Sequence, residues 1–155
     1  MGIDQHIVLL PPHNWENGEL AKQAIEKWYF PIKASVSLCV EGFQPAIATI
    51  ATGWQTAYWV DHFKTTEKKF YFVQDFEPHF YPQSSEAVLA EGTYRLCLSG
   101  ITAGGWLKKK LTDDYGMACQ AISFSCDTSF YKPTPKRENS NFNILFPPFN
   151  APAFV

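Results

Sequence analysis

Short apolar runs alternate with amphipathic stretches from residue 7 to residue 124, and prolines or glycines punctuate many of the joints. Few folds accept that rhythm. A run of four to seven apolar residues reads as a strand, and apolar positions recurring every three or four residues read as a helix. Their repeated alternation calls for parallel strands joined by helical crossovers. Residues 7–10 (IVLL) predict a first strand, stopped by Pro11 and Pro12. Asn17 caps a helix with Leu20, Ala21, Ala24, Ile25 and Trp28 on its apolar face, and Pro31 stops it. Residues 34–40 (ASVSLCV) predict the second strand and 41–45 a loop. The wholly apolar run at 46–51 (AIATIA) predicts a third strand, covered on both faces.

Thr52 and Gln55 have the spacing of a capping box that opens a helix to about residue 63. Further strands are expected at 70–74, 96–101 and 121–124. A helix capped by Ser84 is expected to run to about residue 94. Another spans 104–115, with Leu107, Leu111 and Tyr115 in register and Gly116 ending it. The expected fold class is α/β, a parallel sheet sandwiched between helices.

With 155 residues, 46% of them hydrophobic and 16% aromatic, the chain has material for one well-filled core. Residues 1–130 are expected to form that domain and the polar, proline-bearing stretch 131–141 (YKPTPKRENSN) a linker. Residues 142–155 (FNILFPPFNAPAFV) would be the truncated start of a second domain, or a tail. A net charge of -2 argues against nucleic acid as a partner. No apolar run is long enough to cross a bilayer, and the first residues lack the basic start of a signal peptide. The four cysteines show neither CxxC nor zinc-ligand spacing, and three of them sit among apolar or small residues in strand-like stretches, which favours buried free thiols there and argues against metal or disulfide. The expected location is cytoplasmic. Lys108, Lys109 and Lys110 read as a solvated helix face, or at most as a peripheral contact with the inner face of the membrane.

Three segments fall where ligands of open parallel sheets bind, outside the carboxyl ends of the strands. The first is Gly53, Trp54, Gln55 and Thr56 after the third strand, with backbone amides to offer a phosphate or a sugar hydroxyl. The same residues equally describe a well-capped helix with a core tryptophan. The second, residues 74–82, packs Asp75, Glu77, His79 and Tyr81 into one proline-pinned loop. Its carboxylates and histidine are candidates for a general base, and its aromatic faces for holding a sugar ring. The alternative is a rigid loop whose acids cap the next helix. The third, residues 99–105, has Gly104 and Gly105 but neither a dinucleotide nor a P-loop fingerprint.

The stretches AIATGWQTAYWV, FVQDFEPHFYPQSSEAVLAEGTYRL and SGITAGGWLKKKLTDDYGM resemble the N-terminal half of bacterial GT-B glycosyltransferases, above all the rhamnosyltransferases of surface polysaccharides. FSCDTSFYKP is similar to the stretch with which such enzymes leave their first domain, through Asp127, Tyr131 and Pro133; Cys126 departs from the usual small residue. The resemblance implies a Rossmann-like, acceptor-side domain. It also implies sugar transfer from a nucleotide sugar such as dTDP-L-rhamnose to a growing glycan, with no further cofactor. By that resemblance Asp75 is the first candidate for the base, ahead of Glu77 and His79. Gly53, Trp54, Gln55, Thr56 and Tyr81 would line the cleft, and Gly104 and Gly105 would approach the donor's phosphates. The donor domain would have to come from elsewhere, for instance a separate chain, so the chain alone is expected to be inactive. The competing expectation is a non-catalytic carbohydrate- or protein-binding module on the same fold.

Overall fold

The computed structural model describes residues 3–38, 44–123 and 125–132. Backbone contacts divide the chain into two units, Met1–Phe124 and Ser125–Val155. The first holds β1 (His6–Leu9), α1 (Gly18–Trp28), β2 (Ser35–Leu38), β3 (Ala46–Ala51), α2 (Trp54–His62) and β4 (Thr66–Val73). It continues with α3 (Ser85–Gly92), β5 (Ser99–Ala103), α4 (Gly105–Tyr115) and β6 (Cys119–Ile122). Short 3-10 turns at Glu77–Phe80 and Thr93–Arg95 flank α3. Every strand pairing is parallel. β1 and β2 form a two-stranded sheet, and β3, β4, β5 and β6 form a four-stranded one in chain order. The result is a Rossmann-like α/β arrangement, a parallel sheet flanked by helices.

The core lies on one face of the four-stranded sheet. Ala51, Tyr71 and Val73 point into it and meet Ala57 and Val60 of α2 and Leu107 and Leu111 of α4. Phe76, Tyr94, Leu98 and Met117 fill the rest. Tyr94 is the aromatic hub, with ring centroids 6.1 Å from Tyr71, 5.4 Å from Phe76 and 5.2 Å from Tyr115. Gly100 leaves room in β5 for the Cys119 and Met117 side chains, since a Cβ there would sit 2.6 Å from the Cys119 sulfur.

Several expectations change. The AIATIA run is not buried on both faces, because Ile47 and Ile50 are 74% and 52% exposed and only Ala51 is fully buried. β4 begins at Thr66, ahead of its apolar part, since Thr66 pairs with Ala46 in the ladder and donates its hydroxyl to the Ala46 carbonyl. β5 starts at Ser99, because the stretch before it closes a 3-10 turn, through the Leu96 N–H on the Thr93 carbonyl. β6 likewise sits two residues early, at Cys119–Ile122. Helix α2 is not held by Thr52 and Gln55. The Thr56 hydroxyl accepts from the N–H groups of both Thr52 and Gly53, at 3.0 and 3.1 Å. Of the five apolar positions expected on α1 only Ala21 is fully buried, while Trp28 is 70% exposed. Cys97 and Cys126 are exposed, not buried. Asn17, Ser84 and left-handed Gly116 cap α1, α3 and α4 as their residue types require.

In the second unit the Asp127 carboxylate accepts from the Ser129 N–H and hydroxyl. Those bonds hold its pKa below the usual carboxylate range. The strand start expected at 142–146, most of the linker, and Cys39 lie outside the described residues.

Gly18 opens α1 so close to β2 that a Cβ would fall on the Val36 carbonyl. Backbone has nowhere to go there. Gly18→Ala is therefore expected to destabilise the first unit by about 1–3 kcal/mol, read as a lower midpoint in denaturant unfolding; an unchanged midpoint would show that α1 does not lean on β2 this closely.

Candidate functional site

The site is built where the chain leaves β4. The strand's last inward residue, Val73, is succeeded by Gln74 and Asp75, and Pro78 then tightens the chain into the Glu77–Phe80 turn. That turn folds the Glu77 side chain inward until only 7% of the residue is exposed. Its Oε1 accepts from the Tyr71 hydroxyl at 2.7 Å, and its Oε2 from the Trp54 N–H at 2.7 Å. The Glu77 N–H itself donates to the Tyr94 hydroxyl at 3.1 Å. One carboxylate thus ties the end of β4 to the start of α2. Gly53, the N-cap of α2, has no side chain to offer. Glu77 supplies the missing acceptor, and a negative charge is favourable at a helix N-terminus.

Burial raises the Glu77 pKa above its ordinary value, against the lowering effect of the two bonds it accepts; the nearby Asp75 charge raises it further. Burial likewise raises the pKa of the Tyr71 and Tyr94 hydroxyls, so both stay protonated, Tyr71 as a donor to Glu77 and Tyr94 as the acceptor of its N–H.

Around this anchor stand the other candidates. Trp54 is half-buried, and its indole N–H donates to the Tyr81 hydroxyl at 2.9 Å. The two rings meet edge to face, with centroids 6.1 Å apart. Asp75 is exposed. One of its oxygens accepts from the Phe76 N–H at 2.7 Å, and the other makes no hydrogen bond among the described residues. His79 is exposed too, its ring against Phe76 at 4.7 Å. Lys110 places its ammonium 4.5 Å from the centre of the Phe76 ring while pairing with Asp114. Lys109 pairs with Asp113 in the same way, so two of the three successive lysines are engaged on their own helix face.

The sequence-predicted residues therefore divide. Trp54, Tyr81 and Glu77 form one hydrogen-bonded network; Gly53 and Thr56 bond to each other at the start of the same helix, and Asp75 and His79 lie at the network's margin. Gln55 is exposed and outside it. Gly104 opens α4 with φ of 88°, and its N–H is bonded to the Ile122 carbonyl; the space above Gly105 is open. No hydrogen bond among the described residues joins this pair to the network. Most of the amides expected to be free at the start of α2 are taken, those of Thr52 and Gly53 by the Thr56 hydroxyl, that of Trp54 by Glu77 and that of Thr56 by the Gly53 carbonyl. What this edge offers a ligand is aromatic faces and the Asp75 carboxylate. No group of three His, Cys, Asp or Glu side chains among the described residues could hold a metal ion.

Tyr71 does not stand out in the sequence because it sits in an apolar stretch that reads as core, and Tyr94 because it falls at the end of an expected helix. The clue available was their hydroxyls, since a buried tyrosine generally needs a partner, and an acid six residues after Tyr71 can supply one.

Comparison with known proteins falls on this same region. Residues 45–103 match the family described as WsaF, N-terminal domain. Over 97 residues the chain is 33% identical to the O-antigen biosynthesis protein RfbC of Myxococcus xanthus. The aligned stretch is 63% of this chain but 8% of that protein's length. The middle of the chain is thus similar to the N-terminal domain of WsaF, and the chain spans only a small part of the length of the curated relative it matches.

The Glu77 arrangement has a stability consequence. Its pKa rises on folding, so the folded state binds more protons than the unfolded one above about pH 4.5, the ordinary value. Stability from this group is complete below that pH and is lost as pH rises through the folded pKa. The melting temperature of the parent protein should therefore fall relative to that of Glu77→Gln as pH is raised from 4.5; a pH-independent difference would contradict a raised pKa. Glu77→Ala, which strands the Tyr71 hydroxyl and the Trp54 N–H, should cost roughly 2–4 kcal/mol at neutral pH, measurable by urea unfolding.

Proposed function

We propose that this chain is the acceptor-side domain of a GT-B rhamnosyltransferase that builds surface polysaccharide. It would present a growing glycan to a nucleotide-activated sugar such as dTDP-L-rhamnose. The supporting observation is a coincidence of position: the stretch 45–103 that matches the WsaF N-terminal domain contains every candidate site residue except Gly104 and Gly105. The name of the Myxococcus relative, an O-antigen biosynthesis protein, agrees with a glycan acceptor.

Within that reading the acceptor lies across the edge formed by Trp54 and Tyr81, whose rings are held at right angles by a hydrogen bond. An aromatic face at this edge packs against the C–H face of a sugar. Asp75 takes the acceptor proton. Its carboxylate is exposed with one oxygen unengaged, whereas both oxygens of Glu77 are occupied. Glu77 therefore acts as a positioning residue, fixing the Trp54 backbone, and His79 is the second candidate for the proton. The donor belongs on a second domain or a partner chain, because the amides of Thr52, Gly53 and Trp54 at this edge are already used internally. The site works on the cytoplasmic side, with at most peripheral contact with the membrane; no helix among the described residues is long and apolar enough to cross one.

Two outcomes are expected. Calorimetric titration of the 155-residue chain should show binding of rhamnose-containing oligosaccharides, no binding of dTDP, and no transfer from dTDP-L-rhamnose. Tight dTDP binding would place the donor on this domain and overturn the assignment. In a two-domain relative, replacing the residue equivalent to Asp75 by Asn should lower kcat by roughly 100- to 10,000-fold with the fold intact. Unchanged turnover would remove Asp75 from the role of base.

A further inference from the structure

The last turn of α1 ends on a surface that the Glu77 network does not use. Residues 27–33 read KWYFPIK, and the helix closes at Trp28. Trp28, Tyr29 and Phe30 are 70%, 71% and 66% exposed, three large rings in succession turned to water. Neither the Trp28 indole N–H nor the Tyr29 hydroxyl has a hydrogen-bond partner among the described residues. Single exposed apolar side chains are ordinary, but a contiguous apolar patch marks a binding surface.

The tip is held in shape from below. The Tyr29 N–H donates to the Ile25 carbonyl at 2.9 Å, and the Glu26 carboxylate turns back to accept from the Ile32 N–H at 3.2 Å. Pro31 restricts the backbone between them. The rings are thus presented with little backbone freedom left to lose on binding. The Glu26 bond also occupies the nearest carboxylate in sequence, since residues 27–38 contain no acid. Lys27 and Lys33 bracket the rings, are both exposed, and enter no ion pair among the described residues. In a chain of net charge -2 this is a local excess of positive charge. Lys109 and Lys110 of α4, by contrast, are already paired with Asp113 and Asp114.

We propose that residues 27–33 are the membrane-contacting surface of this domain, the three rings entering the headgroup region of an anionic phospholipid bilayer and the two lysines meeting its phosphates. Aromatic rings flanked by cations complement a surface that is negative outside and apolar beneath. Tryptophan and tyrosine suit that boundary, because each joins an apolar body to one polar atom that stays wet. Lysines beside the rings add attraction to anionic lipid that a neutral bilayer does not return. The inference rests on the peripheral membrane contact proposed for this domain and gives it a location.

The test is co-sedimentation of the full chain with vesicles of phosphatidylcholine alone, and with vesicles of phosphatidylcholine and phosphatidylglycerol in equal parts. The chain should pellet with the mixed vesicles and far less with the neutral ones, and added salt should release it. Replacing Trp28 and Phe30 together by alanine should weaken binding roughly ten-fold or more. Lys27→Gln combined with Lys33→Gln should weaken it roughly ten-fold and remove most of the salt dependence. All four side chains are exposed, so both variants should keep the parent's circular dichroism spectrum. Undiminished binding by both variants would overturn this location and leave peripheral contact to another surface. No binding of the unaltered chain to either vesicle would overturn both. Self-association that the Trp28 and Phe30 replacement abolishes, without vesicle binding, would assign the tip to contact between copies and overturn the proposal. None of these outcomes bears on glycan binding, which the calorimetric titration decides separately.

Discussion

The acceptor edge depends on where one buried carboxylate puts its two oxygens. Glu77 leaves β4 within a few residues and spends one oxygen on Tyr71, in that same strand, and the other on the first amide of α2. Without it the start of α2 would have a glycine cap and an unpaired N–H at Trp54. Removing a carboxylate from water is costly, and only complete hydrogen bonding makes such a residue tolerable. The raised pKa of Glu77 records what remains of that penalty. The same bond that satisfies α2 fixes the Trp54 backbone, and Trp54 in turn holds Tyr81. A structural requirement of the sheet and the shape of the candidate site are one interaction.

The strand order explains why these parts meet. In the sheet β3-β4-β5-β6 each strand lies beside its successor, so the turns after β3 and β4 are neighbours. Parallel pairing sets Ala51 beside Tyr71 and Val73 beside Thr102, which brings the starts of α2 and of the Glu77 turn to the same end. Residues 23 apart in sequence then share a hydrogen bond at 2.7 Å. Glycine serves the same geometry from within, as at Gly100, where neighbouring sulfur side chains occupy the space a Cβ would need.

Much of this was legible in the residues. The alternation of apolar runs and helical periods identified six strands and four helices, and the cap residues Asn17, Ser84 and Gly116 marked helix ends where local backbone chemistry dictates them. Boundaries were less legible where apolar content and hydrogen bonding part company. The polar start of β4 belongs to the strand because β3 pairs with it, and Leu98 belongs to the core although its segment closes a turn. In the site, Asp75, Glu77 and Tyr81 were visible as a dense polar and aromatic loop after a strand. Their division of labour was not, since it depends on which oxygens find partners across the fold. Tyr71 and Tyr94 were hidden for the same reason, since neither a tyrosine in an apolar run nor one at the end of a helix has a local signature.

Glu77 holding the start of α2 is the bond on which fold and site both rest, and amide hydrogen exchange at Trp54 reads it directly. In the parent protein the Trp54 amide should exchange slowly. In Glu77→Ala it should lose protection together with the indole N–H that meets Tyr81, while amides in the middle of α4 stay protected. A Trp54 amide that exchanges equally fast in both proteins would show that the helix start is held by something else, and the link between fold and site would be gone.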